Sequence, residues 1–329
     1  MSDTSVAEAM RDGAVAPPLL ARNAADVLWM ARYMERIENL ARILDVTRTY
    51  ARDGDDGPSW VAVVRINADE ARFFARHQVA SAGTVARFYL LDRDNPTSVQ
   101  TAIHAARENA RTLRALISTE MWLHMNVFHS HIRGLQEPDI APAMLSRLCA
   151  VLRNGVQGHT GITEGTFYRD QSWHFYSLGR HLERADQLTR LLDIKFNPLL
   201  VAATDVGVNA GQWNTLLRAA AGYHAYRRAN PHGYVPREVA QFLLMDGAFP
   251  RSLGLNLAQI EWHLSQLRMR YFLHGSLRPL ERVDELRALI ATTSVDEILV
   301  GNGFSAFLDG IQRQIGALHQ DIAQAFFPA

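Results

Sequence analysis

The sequence predicts an all-α, multi-helix bundle built from an internally duplicated helical unit arranged about a pseudo-two-fold axis. Apolar residues recur at helical spacing through most of the chain, no segment shows the strict alternation of a half-buried strand, and two distant segments resemble each other. The 329 residues, 48% of them hydrophobic, are sufficient for a large core. We therefore expect one large domain at 19–329 behind a flexible tail at 1–18.

The first predicted helix runs from Ala24 to Tyr50, a segment without glycine or proline. Asn23 is its expected N-cap, and the cluster of Asp and Gly residues that ends at Pro58 should separate it from the next helix. The same pattern predicts helices over Trp60–Arg76, Gly83–Leu91, Ser98–Asn126 and Val127–Leu152, the last broken around Glu137 and Pro138.

Four glycines between Gly155 and Gly165 mark the expected boundary between the repeats, which we place at about 20–154 and 166–275. Helices of the second repeat are predicted over Trp173–Ile194, which Pro198 should end, and over Gln212–Arg228, Arg237–Met245 and Ser252–Arg270. C-terminal helices are expected at about 276–329, where a polar connection leads to a last helix over Asn302–Phe327.

The duplication is visible in two gapless alignments. Residues 31–46 match residues 179–194 at seven of sixteen positions, and residues 85–99 share Val, Ala, Phe, Leu, Asp, Pro and Ser with residues 239–253. The second alignment has a structural interpretation, in which an Asp ends one helix, a Pro sets the turn and a Ser caps the next helix. These residues are Asp92, Pro96 and Ser98 in the first copy and Asp246, Pro250 and Ser252 in the second.

A charged face with the pattern Arg-x-x-Glu-Arg-x-x-(Asn/Gln)-x-x-Arg is common to both long helices. Its residues are Arg32, Glu35, Arg36, Asn39 and Arg42 in the first copy and Arg180, Glu183, Arg184, Gln187 and Arg190 in the second. Arginines outnumber glutamates on this face, so a carboxylate of another helix or an anionic ligand should supply negative charge. Candidate carboxylates are Glu108, Glu120 and Glu164. A buried structural network, a site for an anion or a peptide carboxylate, and a solvated face of ion pairs all remain open.

These motifs resemble the bacterial alpha-E family, a helical domain named for its Glu-Arg motif. The resemblance rests on LWMARYMERIENLARILDV from Leu28 and LGRHLERADQLTRLLDI from Leu178. Further similar segments are AARENARTLRALISTEMWLHMN from Ala105, GITEGTFYRDQSWHF from Gly161, WNTLLRAAAGYHAYRR from Trp213 and FLLMDGAFPRSL from Phe242.

The resemblance implies a place in peptide ligation, because members of this family tend to be encoded beside, or fused to, a circularly permuted ATP-grasp ligase, often with a transglutaminase-like protein. This chain has no Gly-rich phosphate-binding loop, so we expect a non-ATPase partner that holds a peptide, a small anion or the ligase itself. One alternative is a catalytic domain that acts on the ligase's peptide product with Glu35 or Glu183 as general base. A second is a purely structural interaction protein.

Other chemistry is disfavoured by composition. A net charge of zero argues against nucleic-acid binding, and a single cysteine, Cys149, cannot form an internal disulfide or a thiolate metal cluster. His124, His129 and His131 lack the Glu-x-x-His pairs of a di-metal bundle, so we expect no metal and no cofactor. The chain shows neither a signal peptide nor a spanning segment, and we expect a soluble cytoplasmic protein that is not bound to membranes.

Overall fold

The computed structural model describes residues 19–50, 57–201, 206–300 and 303–327. These residues form fifteen α-helices and two short 3-10 helices, with no strand among them. The all-α prediction is confirmed. The flexible tail predicted at 1–18 lies outside the described residues, as does most of the Asp and Gly cluster before Pro58.

The helices follow one another with short connections. The first seven are α1 (Ala21–Tyr50), α2 (Pro58–Ile66), α3 (Glu70–Phe74), α4 (Ala82–Leu90), α5 (Val99–Thr112), α6 (Thr119–Arg133) and α7 (Leu145–Thr166). The next eight are α8 (Gln171–Val201), α9 (Val206–Ala219), α10 (Tyr223–Ala229), α11 (Pro236–Met245), α12 (Leu253–Tyr271), α13 (Leu277–Thr292), α14 (Val295–Ile298) and α15 (Gly303–Phe326). The 3-10 helices are Glu137–Ile140 and His274–Ser276.

Helices α1 and α8 form the centre of the fold and share the most extensive helix contact in the described chain. Helices α5 and α7 cover α1, while α12 and α15 cover α8. The two central helices approach closely at Gly179, where an added Cβ would lie 2.1 Å from the carbonyl oxygen of Leu28. Because both helices are covered by others, the glutamates at their contact, Glu35 and Glu183, are buried.

Three segments predicted as single helices are each divided in two. Helices α2 and α3 are separated at Ala68, which has a φ of 55°, and α9 and α10 at Ala221, which has a φ of 59°. Helix α5 ends at Thr112 and α6 begins anew at Ser118, whose hydroxyl accepts a bond from the Met121 amide at 3.1 Å. The predictions were wrong because none of these breaks contains a proline, and only the one at Ala221 has an adjacent glycine, Gly222.

Other predicted breaks are absent. Asn23 lies inside α1 rather than capping it, and α8 continues through Pro198 to Val201. The segment Gly155–Gly165 forms the second half of α7 instead of a connection. Its first glycine permits close packing, since a Cβ at Gly155 would lie 2.3 Å from the Phe128 ring of α6. The polar connection expected before the last helix contains α13.

The predicted Ser caps are confirmed in both copies. Ser98 accepts a bond from the Thr101 amide at 3.2 Å and begins α5, and Ser252 accepts one from the Leu255 amide at 3.2 Å and begins α12. The division into two repeats stays a prediction. No helix of the described residues combines the length and apolar composition needed to cross a bilayer.

Candidate functional site

The two Glu-Arg motifs meet where α1 packs against α8. Arg184 of α8 lies with Nη2 2.6 Å from Oε1 of Glu35 on α1. In the opposite direction, Arg36 of α1 donates from Nε to Oε1 of Glu183 on α8 at 2.5 Å. Each helix therefore neutralises the glutamate of the other, and the exchange is reciprocal.

A second guanidinium faces each of these carboxylates. Arg32 donates from Nε to Oε2 of Glu183 at 2.6 Å. Arg251, which immediately precedes α12, places Nη2 3.4 Å from Oε2 of Glu35 and 2.8 Å from Oε2 of Glu38. The buried centre thus contains more arginine than glutamate, and the carboxylates bridge neighbouring cations.

The remaining motif residues extend this network along both helices. Arg42 pairs with Glu38 of its own helix, with Nη2 to Oε1 at 2.5 Å, and Arg190 pairs with Asp186 at 3.1 Å in the equivalent position. Gln187 donates from Nε2 to Oε1 of Glu183 at 2.9 Å. The side chain of Asn39 is buried beside them.

Burial and charge fix the ionisation of both motif glutamates, each of which is only 2% exposed. Burial by itself would raise the pKa of Glu183, but Arg32 and Arg36 outweigh it and lower that pKa to about 2. The pKa of Glu35 is likewise lowered, since Arg184 and Arg251 outweigh the effect of burial. Both glutamates are carboxylates at neutral pH, and the solvated-face interpretation does not fit them.

The free space at the motifs is small. A cavity of about 10 Å³ is bordered by both motifs, by Arg251 and by residues of α9. That volume accommodates one water molecule and no peptide side chain. The arrangement therefore favours the buried structural network among the three interpretations of the motif.

The structure does not bring Glu108 and Glu120 to the motif arginines. Glu108 pairs with Arg107 and Arg111 of its own helix, and Glu120 is exposed at the start of α6. The expectation that they neutralise the motif was wrong, because the motif arginines pair with the glutamate of the opposite motif or with Glu38 and Asp186 of their own helices. Glu164 does take that role for Arg180, at 2.8 Å between Nη1 and Oε1.

The three histidines considered for metal binding make different contacts. His124 shares a hydrogen bond of 2.7 Å with the carbonyl oxygen of Gly155, His129 packs near His104, and His131 is exposed. The described part of the chain contains no group of three His, Cys, Asp or Glu residues that could hold a metal ion. Burial raises the pKa of the Cys149 thiol to about 12, which makes it unreactive as a thiolate.

Besides Glu38 and Asp186, two further residues of the network were missed in the sequence. His319 of α15 accepts a bond of 3.0 Å from Arg32 at Nδ1, and burial together with Arg32 lowers its pKa to about 4. The residues next to His319 in the sequence give no indication of this contact. Arg251 did carry an indication, since a cation beside a helix N-terminus is unfavourable for the helix dipole unless a carboxylate compensates it.

Comparison with known proteins assigns the family. The Alpha-E family, described as "a predicted alpha-helical domain with a conserved ER motif", matches residues 19–327. Uncharacterized proteins of Mycobacterium bovis and Mycobacterium tuberculosis are 25% identical in an alignment of 324 residues that covers 91% of this chain and 36% of theirs. The chain thus spans about a third of the length of these relatives. No solved structure matches it. With nearly its whole described length matched, and with two Glu-Arg pairs at its centre, the chain belongs to the Alpha-E family.

Proposed function

We propose that this chain is a non-ATPase binding partner of an ATP-grasp-type peptide ligase, in which the Glu-Arg motifs stabilise the domain rather than perform chemistry. The observation that carries the proposal is that both motif glutamates are already paired with arginines. Glu35 and Glu183 each face two guanidinium groups, in a space that holds no more than a water molecule.

The catalytic alternative requires a general base, and the motif glutamates are poorly suited to it. A base works best when its pKa is near the pH of the reaction. The pKa of Glu183 is about 2, and that of Glu35 is also lowered. Neither carboxylate would remove a proton readily without first losing its arginine partners.

The partnership is supported by the length of the relatives and by the resemblance to the alpha-E family. In the mycobacterial relatives the matched region makes up 36% of the chain, so that there it is joined to a larger body of protein. The resemblance implies a ligase beside or fused to the domain, with a transglutaminase-like protein as a further partner. Because the proposed ligation consumes ATP, the proposal includes a cytoplasmic location for the assembly.

Co-purification with the ATP-grasp ligase expected beside this chain tests the partnership. We expect a complex that ligates peptide in the presence of ATP, and no turnover by this chain alone. Failure of the wild-type chain to form a complex would overturn the proposal. A complex in which the chain leaves the rate of ligation unchanged would favour the purely structural alternative.

A Glu35→Gln variant separates binding from catalysis. We expect its complex, once assembled, to retain the wild-type rate of ligation, and we expect the variant itself to unfold at a lower temperature. If turnover is abolished while the melting temperature stays unchanged, Glu35 acts in catalysis and the alternative holds.

A further inference from the structure

A second arginine cluster lies next to the motifs, in a cavity large enough for a ligand. The cavity has a volume of about 410 Å³ and lies between the C-terminal half of α1, helix α7 and the junction of α9 with α10. Its polar lining includes Arg42, Asp45, Thr49, Arg153, Arg218 and Tyr223. This volume is within the range of small-ligand pockets and far exceeds the space at the Glu-Arg motifs.

The cavity has an excess of positive charge. Arg153 forms an ion pair with Asp45, and Arg42 pairs with Glu38, which it shares with Arg251. Arg218 makes no ion pair within the described part of the chain, and its buried Nε atom has no hydrogen-bond partner there. The described lining therefore presents three arginines against one aspartate, and among the described residues the Arg218 guanidinium has no anionic partner.

Arg218 is also held in place. Its guanidinium carbon lies 4.0 Å from the centre of the Tyr223 ring, a cation–π contact that restricts the orientation of the planar group. The planar guanidinium geometry matches a carboxylate, which an arginine can bind through two parallel hydrogen bonds. The fixed orientation lowers the entropic cost of binding.

The surroundings of the cavity favour a peptide over a small inorganic anion. A neighbouring cavity of about 520 Å³ shares Tyr50 with the first and is lined in part by the apolar residues Ile194, Leu199 and Leu216. A ligand with an anionic end and an apolar body would use both cavities. A free phosphate would use only the arginine end.

We propose that the arginine cavity binds the carboxylate group of an acidic peptide, with the Arg218 guanidinium as its main contact and the peptide directed past Tyr50 toward the apolar cavity. This assignment goes beyond the ligase partnership. It is tested on this chain alone, so that failure to form a complex with a ligase leaves it unaffected.

Isothermal titration calorimetry in low-salt buffer tests the site with acetyl-Leu-Leu-Glu and with its uncharged analogue acetyl-Leu-Leu-Gln-amide. We expect the acidic peptide to bind at least about tenfold more tightly than the analogue, since charged hydrogen bonds differ from neutral ones by this much. Added salt should weaken binding. Absence of binding by the wild-type chain, or equal binding of both peptides, would overturn the proposal.

Substitutions of Arg218 test whether its guanidinium makes the contact with the peptide carboxylate. Arg218→Ala and Arg218→Gln should each weaken the acidic peptide by about tenfold or more. The control, Arg228→Ala, changes an exposed arginine of the adjacent α10 and should leave binding unchanged. Circular dichroism verifies that each variant is folded.

Two further results would contradict the assignment. One is wild-type affinity in both folded Arg218 variants. The other is displacement of the peptide by inorganic phosphate at concentrations below the dissociation constant of the peptide, which would identify a site for a free anion.

Discussion

Glu35 and Glu183 remain ionised in the core because two guanidinium groups from elsewhere in the fold lie against each carboxylate. The attraction in such a buried group is largely offset by the cost of removing the ions from water. The network therefore contributes modest net stability when intact. Loss of one partner is costly, however, because it leaves the other ions buried and unpaired.

A buried glutamate and an exposed one should differ in how much their loss lowers the free energy of unfolding. Glu183→Gln should lower the free energy of unfolding by about 3–5 kcal/mol, because Arg32 and Arg36 lose their carboxylate. Glu164→Gln, in which the lost carboxylate is 41% exposed, should cost less than about 1 kcal/mol. Urea denaturation measures both. Equal losses would show that the motif is no more important than a surface ion pair.

Buried histidines give the protein a predicted pH dependence. His174 and His263 share a hydrogen bond of 2.9 Å, and His181 bonds to Asn256 at 2.8 Å. Burial is the largest cause that lowers the pKa values of His174, His181 and His263, to about 4, 3 and 2 respectively. Because these values lie below the unfolded pKa of about 6.5, the unfolded chain binds more protons below that pH. The stability that these histidines provide is present above pH 6.5 and is lost as the pH falls.

We therefore expect the melting temperature to decrease between pH 8 and pH 5, before the carboxylates titrate. Each buried histidine should contribute about 2 kcal/mol to this loss at pH 5. His263→Gln should reduce the decrease, whereas His232→Gln, at an exposed position, should leave it as in the wild type. Identical pH profiles for all three proteins would contradict the assignment.

At the scale of helices, the contact between α1 and α8 sets the geometry of the whole site. The reciprocal ion pairs require the two backbones to pass close to each other, and Gly179 allows this by bringing α8 against the carbonyl of Leu28. The hydrophobic residues of both helices supply the packing energy. We infer from the reciprocal pairing that the charged residues determine which residues of the two helices lie opposite each other, which is a role in specificity.

Glycine substitutions test the close approach. Gly179→Ala should destabilise the protein by about 1–3 kcal/mol or more, because its Cβ would lie 2.1 Å from a backbone oxygen and the helices would have to separate. Gly161→Ala in α7, where nothing lies within 4 Å of the added Cβ, should stabilise it by about 0.5–1 kcal/mol. Thermal unfolding of the two variants measures both changes in stability. A neutral Gly179→Ala would mean that the helices are farther apart.

The sequence predicted the helices better than their ends. Periodic apolar residues identified α1 and α8 correctly, since a long amphipathic pattern specifies a helix regardless of its neighbours. The breaks at Ala68 and Ala221 place alanine at positive φ, a conformation that alanine disfavours and that packing of the whole fold imposes. Gly155 was interpreted as a boundary because its actual role, contact with Phe128, depends on a helix distant in sequence.

At the scale of the molecule, the two halves of the chain complete each other. Glu35 in the first half depends on Arg184 and Arg251 in the second, while Glu183 depends on Arg32 and Arg36. Neither half can neutralise its own motif glutamate in this way. We therefore expect the fold to unfold as one cooperative unit rather than as two independent domains.

Fragments divided in the connection between α7 and α8 test this dependence. Residues 19–166 and 167–327, expressed separately, should fail to fold, because each retains buried charges without partners. Co-expressed, they should purify together with the helix content of the intact chain by circular dichroism. Glu183→Lys in the second fragment should reduce the yield of the complex. Cooperative unfolding of either isolated fragment would contradict the prediction.

The candidate site was predictable in its residues but not in its pairing. The motif pattern identified all ten charged and amide positions, and the excess of arginine correctly indicated that carboxylates had to come from elsewhere. The sequence could not show that the source was the other motif, because that depends on the relative rotation of α1 and α8. The sequence did not connect Arg251 with the motifs either, because this residue lies far from both of them along the chain.

A double-mutant cycle on Glu35 and Arg184 tests the reciprocal pairing most directly. The free energies of unfolding of the wild type, Glu35→Gln, Arg184→Gln and the double variant give the coupling energy between the two side chains. We expect a coupling of about 2 kcal/mol or more, since the pair is buried and lies at the contact of the central helices. A coupling below about 0.5 kcal/mol would contradict it, because the two motifs would then contribute independently.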